Sequence, residues 1–141
     1  MTSHQEGLST ISEALLSELI AQARKARDKA YAPYSRFRVG AALIGEDGKI
    51  YSGCNVENSS FGLTNCAERT AIFKAVSEGC QQFRLLVLTS DAKEPVTPCG
   101  ACRQVMAEFA PQMSVIMIDN EDRCQVLSVS QLLPGMFTLT Q

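Results

Sequence analysis

The stretch CAERTAIFKAVSEGCQQFRLLVLTSDAKEPVTPCGAC runs from Cys66 to Cys102. Its first part places Ala67, Ala71, Ile72, Ala75 and Val76 at helical spacing, so a helix is predicted over Cys66–Glu78 with Gly79 as its terminator. Phe83–Thr89 is a continuous apolar run, the pattern of a central strand buried on both faces. After Pro95 and Pro98 a second helix is predicted over Gly100–Phe109, stopped by Pro111. Helices on either side of a buried strand imply a layered α/β domain.

The flanking sequence extends this pattern. Phe37–Ile44 and Lys49–Asn55 read as strands joined by the turn Gly45–Gly48, a β-hairpin. Ahead of it, Ile11, Leu15, Leu19, Ala23, Ala26 and Ala30 mark an amphipathic helix. Ser9 or Ser12 would cap it, and Pro33 would end it. Downstream, strands are predicted at Met113–Ile118 and Cys124–Val129, then a short helical turn at Ser130–Leu133. The expected fold is an α/β protein, a three-layer α/β/α sandwich on a mixed, roughly five-stranded sheet. Residues 1–8 read as a loose tail and 9–141 as a single domain.

Composition narrows the class. The 141 residues are 45% hydrophobic and 20% charged, with a formal net charge of −2. The sequence pI of 5.4 carries no basic surplus for a polynucleotide backbone. Arg24, Lys25, Arg27 and Lys29 surround Asp28 on the helical pattern and read as a solvated face. No apolar run approaches the roughly 18 residues of a membrane span. Met1–Leu8 lacks an apolar signal core, so the expected compartment is the cytosol. There the six cysteines point to metal or redox chemistry and not to disulfides.

Cys99 follows Cys66 by 33 positions (99 − 66), and Cys102 comes three later. Residues three apart share a helix face, so Cys99 and Cys102 can meet one metal. Helix N-termini favour thiolates, and three thiolates with an open fourth position describe a catalytic zinc site. Three thiolates on Zn²⁺ leave a charge of −1. Arg69, on the face of Cys66, is placed to offset it by hydrogen bonding. Glu68 reaches the same point only if Cys66 stands at the helix start. It is the candidate proton carrier for a zinc-activated water; its alternative role is to stabilise the helix dipole. Cys99-Gly-Ala-Cys102 could instead be a redox pair. Cys54, Cys80 or Cys124 could close a structural zinc site on a partner-binding module. His4, the only histidine, lies in the expected tail.

Cys66-Ala67-Glu68 with Pro98-Cys99-Gly100-Ala101-Cys102 resembles the zinc signature of the cytidine deaminases, and the three cysteines resemble its small homotetrameric class. The likeness spans nearly the whole chain. It includes Tyr34–Ala42, Gly53–Asn58, Cys99–Met106 and Leu132-Leu133-Pro134. It implies one Zn²⁺ per chain and hydrolytic deamination of cytidine and deoxycytidine, with Glu68 shuttling protons. It also implies ribose contacts from Asn55 and Glu57, with Val56 and Ala67 in the nucleoside site, and Phe37 packed on the base or ribose. Asn58, Ser59, Ser60 and Phe61 would close the site from neighbouring subunits of a homotetramer, and Phe137 would reach a neighbour's site. The implied partner is a small nucleoside, with no nucleic-acid polymer and no membrane. A polynucleotide cytosine deaminase would share the motifs but need a basic groove and aromatic platforms. A deaminase of a nucleoside antibiotic or of a guanine-type base would also share the zinc motif.

Overall fold

The computed structural model describes residues 11–139. Four helices and five strands follow in order: α1 (Glu13–Arg27), β1 (Val39–Gly45), β2 (Ile50–Cys54), α2 (Ala67–Ser77), β3 (Phe83–Ser90), α3 (Gly100–Phe109), β4 (Ser114–Ile118), β5 (Cys124–Ser128) and α4 (Val129–Leu132). The sheet order is β2-β1-β3-β4-β5. Only β3 and β4 pair in parallel; the other pairs are antiparallel, so the sheet is mixed.

Alternation along β3 fixes the three layers. Leu86 and Leu88 face one core with Ala71, Ile72, Ala75, Met106 and Ala107, which belong to α2 and α3. Leu85 and Val87 face the other core with Leu19 and Ala23 of α1. A strand buried on both faces has no solvated side for polar residues, which is why Leu85–Leu88 is unbroken apolar sequence within Phe83–Thr89; Arg84, near the strand's start, is half-buried.

The first helix is shorter than its apolar repeat implies. Ser12 caps it, its Oγ accepting from Leu15 N at 3.1 Å. Ser9 and the expected tail of residues 1–8 lie outside the described residues. The helix ends at Arg27 and does not run on to Pro33. Lys29 and Ala30 donate to Ala26 and Arg27 in tight turns, and Tyr31 leaves to bond Asn55 O at 3.0 Å. Long-range pairing therefore wins over the local repeat. β1 likewise begins at Val39 and not at Phe37. The Phe37 and Arg38 amides bond side chains, Ser35 Oγ and Asp91 Oδ2, in place of the ladder.

Two glycines set how closely helices lie on the sheet. A Cβ on Gly40 would sit 2.0 Å from Ala23 O and 2.5 Å from Arg27 N. A Cβ on Gly53 would sit 2.7 Å from Ala67 O and 2.6 Å from Ala71 N. The obstacles are helix backbone, which cannot rotate away. We expect Gly40→Ala and Gly53→Ala each to lower the unfolding free energy by about 1–3 kcal/mol or more. Gly62→Ala meets nothing within 4 Å and is expected to stay within about 0.5 kcal/mol. Urea denaturation midpoints test this, and equal midpoints for all three variants would refute the close-approach argument.

Candidate metal centre and nucleoside site

Cys66 and Cys99 are the N-caps of α2 and α3, both with extended backbone (φ −76°, ψ 157° and φ −67°, ψ 166°). The Cys99 sulfur turns back over the first turn of α3, accepting from Cys102 N at 3.5 Å. Cys102, one turn into α3, is fully buried between them. The Cys66–Cys99 Sγ distance is 3.8 Å and the Cys99–Cys102 distance 3.4 Å. All three sulfurs lie within 4.8 Å of one another. A tetrahedral zinc with Zn–S bonds of about 2.3 Å needs sulfurs about 3.8 Å apart, so the donor set fits.

These three are the cysteines that converge among the described residues; Cys54, Cys80 and Cys124 are free and do not join them. Cys80 donates to Gln82 O at 3.4 Å. Among the described residues the group therefore has no fourth ligand, as in a catalytic zinc centre and unlike a structural one.

Charge around Cys66 is arranged to keep its thiol ionised. The Cys66 thiol is pulled down to about 5 by hydrogen bonds from Cys102 first, then from Arg69 and Cys99, against the opposing effect of burial. Arg69 Nη2 donates to Cys66 Sγ at 3.2 Å. The guanidinium is held still more firmly protonated by that bond. Cys102 is pushed the other way, by its bond to Cys66 and by burial. Glu68, on α2 between Ala67 and Arg69, is 4% exposed. Burial raises its carboxyl to about 7, and the Cys66 charge adds to the effect. It lies beside the cysteines without belonging to the ligand set.

The nucleoside candidates cluster in the loops before α2. Asn55 is buried, and its amide clamps the start of β1: Nδ2 donates to Phe37 O and Oδ1 accepts from Val39 N, both at 2.8 Å. One N–H and one lone pair of that amide are left for a ligand. Glu57 Oε1 accepts from the Tyr34 and Ser35 amides at 2.9 and 3.1 Å, and Oε2 accepts from Ser35 Oγ. The Ser35 hydroxyl, ahead of the backbone donors, holds this carboxyl below its usual range. Val56 forms an isolated antiparallel bridge with Asn65, which sets Asn55–Glu57 beside the residue preceding Cys66. Ala67 is fully buried at the start of α2.

Asn58 Oδ1 accepts from Ser60 N at 2.9 Å, and Ser59 Oγ meets Tyr34 OH at 2.7 Å. Phe61 opens a 3₁₀ turn (Phe61–Leu63), with its ring edge-on to Tyr34 at 6.1 Å. Tyr34, Ser35, Glu57, Phe61 and Thr64 line one shallow hollow. No described hydrogen bond or ring contact within the chain joins Phe61 or Phe137 to the cysteines or Glu68. Phe61 is 75% exposed and Phe137 65%. The sequence reading missed Ser35 as the partner of Glu57, although its place in the Tyr34–Ala42 motif was a signal. It also missed Asp91, whose carboxylate grips Arg38 beside Phe37 through Nε and Nη2, both at 3.0 Å.

Residues 14–118 match the family described as the cytidine and deoxycytidylate deaminase zinc-binding region. The chain belongs to this family. It is thereby a zinc-dependent deaminase, and the Cys66–Cys99–Cys102 group is where its zinc fits. It is 53% identical to a cytidine deaminase of Sporosarcina psychrophila, over 87% of this chain and 91% of that protein. It is 54% identical to one from Halalkalibacterium halodurans, over 85% and 92%. The solved structure of the Burkholderia pseudomallei cytidine deaminase superposes with a TM-score of 0.83 at 48% identity, covering 86% of this chain and 98% of that one.

The metal centre makes a direct prediction. Arg69→Ala should weaken zinc retention roughly 10–100-fold, and Arg69→Gln less, because an amide can still donate to sulfur. Alanine at Cys54, Cys80 or Cys124 should leave one zinc per chain. Zinc content by mass spectrometry and competition with a chelating dye check both. Loss of zinc from a Cys54, Cys80 or Cys124 variant would mean that the ligand set is wrong.

Proposed function

We propose that this chain hydrolyses cytidine and deoxycytidine to uridine and deoxyuridine, with release of ammonia. One observation carries the reading: a buried carboxyl, Glu68, lies beside three converging thiols whose fourth corner no described residue fills. The names of the relatives support the substrate class. The net charge of −2 argues against a polynucleotide substrate.

Bound zinc supplies a Lewis acid that makes water a competent nucleophile at neutral pH. Glu68 takes a proton from the water that attacks C4 of the pyrimidine. It delivers protons to N3 and then to the leaving amine, so that ammonia departs and the carbonyl forms. A carboxyl shielded from bulk water and poised near neutrality can both accept and return a proton. Arg69 holds Cys66 in its charged form and offsets the surplus of three thiolates. Asn55 and Glu57 hold the ribose hydroxyls through their remaining hydrogen-bonding capacity, and Phe37 packs against the sugar or base. Val56 and Ala67 wall the nucleoside. The reaction suits pyrimidine salvage, and the free thiols suit a reducing compartment such as the cytosol.

Glu68→Gln is expected to keep its zinc and lose at least about 10²–10⁴ in kcat, the usual range of a general acid–base role. The loss of ultraviolet absorbance on conversion of cytidine to uridine measures it, and a panel of nucleosides in the same assay tests the substrate class. If zinc and activity disappear together, Glu68 is a ligand and not a proton carrier.

The site is completed by neighbouring subunits of a homotetramer. Large apolar side chains left in water mark surfaces that associate, and Tyr34, Phe61, Leu63 and Phe137 are such groups. In this assembly Asn58–Phe61 and Phe137 close over the nucleoside from adjacent chains. We expect subunits carrying Glu68→Gln, dissociated and reassociated with subunits carrying Phe137→Ala, to regain activity above the mean of the two parents. An active monomer by light scattering, or no gain on mixing, would remove the shared site.

A further inference from the structure

The residues after Cys102, Arg103 and Gln104, have no role in the chemistry above, yet each bonds backbone far from its own turn. Arg103 Nε donates to Pro98 O and its Nη1 to Leu132 O, both at 2.7 Å. Gln104 Nε2 donates to Phe137 O at 2.7 Å. Pro98 is buried and immediately precedes the metal-site N-cap Cys99. Leu132 ends α4, where a helix leaves its last carbonyls without intrahelical partners. Phe137 lies on the irregular segment that follows, seated on the core through Leu133 and Met136.

From this we infer that Arg103 and Gln104 are positioning residues that join the cysteine loop to the C-terminal segment, so that the zinc ligands and Phe137 are held as one unit. The part that concerns Phe137 rests on the shared-site reading above; the coupling of the two backbone segments does not.

The chemistry of the pair suits the task. A guanidinium is planar, always charged and presents several donors in a fixed fork, so one side chain can satisfy two carbonyls on different elements. A lysine ammonium is a compact point charge and cannot span both. The Arg103 amide itself donates to Cys99 O at 3.0 Å, in the first turn of α3. Arg103 therefore grips the ligand loop on both sides of Cys99, by its backbone and by its side chain. A ligand whose preceding carbonyl is pinned has less freedom to leave a metal, in the way that outer partners usually steady a site. Gln104, on the next position of the same helix, carries the tie onward to the segment bearing Phe137.

The experiment uses the zinc-loaded full chain and the variants Arg103→Ala, Arg103→Lys and Gln104→Ala. Zinc release to a chelating dye, and amide exchange by mass spectrometry over residues 95–102 and 129–139, are measured beside KM and kcat. Arg103→Ala should release zinc about tenfold faster and exchange faster in both segments; Arg103→Lys should restore neither fully. Gln104→Ala should leave zinc release unchanged, speed exchange only after Leu133, and raise KM several-fold with little change in kcat.

Zinc release from Arg103→Ala within twofold of the parent, or faster exchange confined to one segment, would overturn the coupling. If Arg103→Ala does not fold, Arg103→Gln retains one donor group and should loosen one segment while leaving the other as in the parent. Both segments unchanged in that variant would refute the proposal. If Gln104→Ala loosens the C-terminal segment but neither it nor Phe137→Ala alters KM, the shared-site reading fails while the mechanical tie stands.

Discussion

The sulfurs of Cys66 and Cys99 meet at 3.8 Å from two helices that begin 33 residues apart (99 − 66). An N-cap residue is extended, so its side chain stands at the mouth of the helix, beside the unpaired N–H groups of the first turn. Two such side chains converge only if both helices lie on one face of the sheet and start at the same end. α2 and α3 meet that condition because both pack on the face carrying Leu86 and Leu88 of β3. Small residues allow the fit. Ala67, Ala71 and Ala75 present α2 to the sheet, and Gly53 lets its backbone come closer than any side chain would permit. The metal centre is thus the point where two packing solutions agree, and an error in either would separate the ligands.

Electrostatics at that point pull in two directions. Three thiolates want positive surroundings, which Arg69 and two helix N-termini provide. The same cluster disfavours a second anion nearby, and Glu68 sits beside it with almost no access to water. Burial and the sulfur charge together keep this carboxyl protonated to higher pH than an exposed one. A group that resists ionisation is a poor ion-pair partner. It is a good proton carrier, because neither of its forms is strongly preferred near neutrality. The residues that secure the metal also tune the acid beside it, and this economy explains how Cys66, Glu68 and Arg69 fit into one turn of helix.

Much of this was legible before any coordinates. The apolar run Leu85–Leu88 within Phe83–Thr89 places β3 at the centre of the sheet because a strand covered on both faces leaves that mark. The bounds of α3 read correctly as Gly100–Phe109 because Pro98 and Pro111 punctuate both ends. The cysteine cluster was legible because few arrangements bring three thiols together. The end of α1 was not, since the repeat that continues to Ala30 says nothing of the bridge between Tyr31 and Val56, which draws the chain away. The start of β1 failed for a similar reason. Phe37 and Arg38 look like strand, but Ser35, Asn55 and Asp91 claim their backbone groups. Local pattern predicts what local forces decide; these boundaries are decided by side chains distant in sequence.

The hollow beside Glu57 brings these threads together. Its carboxylate is held ionised by Ser35, yet rings surround it: Tyr34 is 49% exposed and Phe61 75%. A monomer gains nothing from apolar rings left in water around a charged group. On the proposed function a nucleoside would give both a use, its hydroxyls bonding the carboxylate while its flat faces take the rings. Reaction at a hydrolytic centre further needs bulk water excluded, and a shallow hollow cannot exclude it. On the shared-site proposal, the missing wall comes from outside the chain. Phe61 and Phe137 are among the large apolar side chains left exposed, Phe61 with an edge contact to Tyr34. Under that proposal, the rings of Phe61 and Phe137 exposed in the single chain are the surface that a neighbour would cover on assembly.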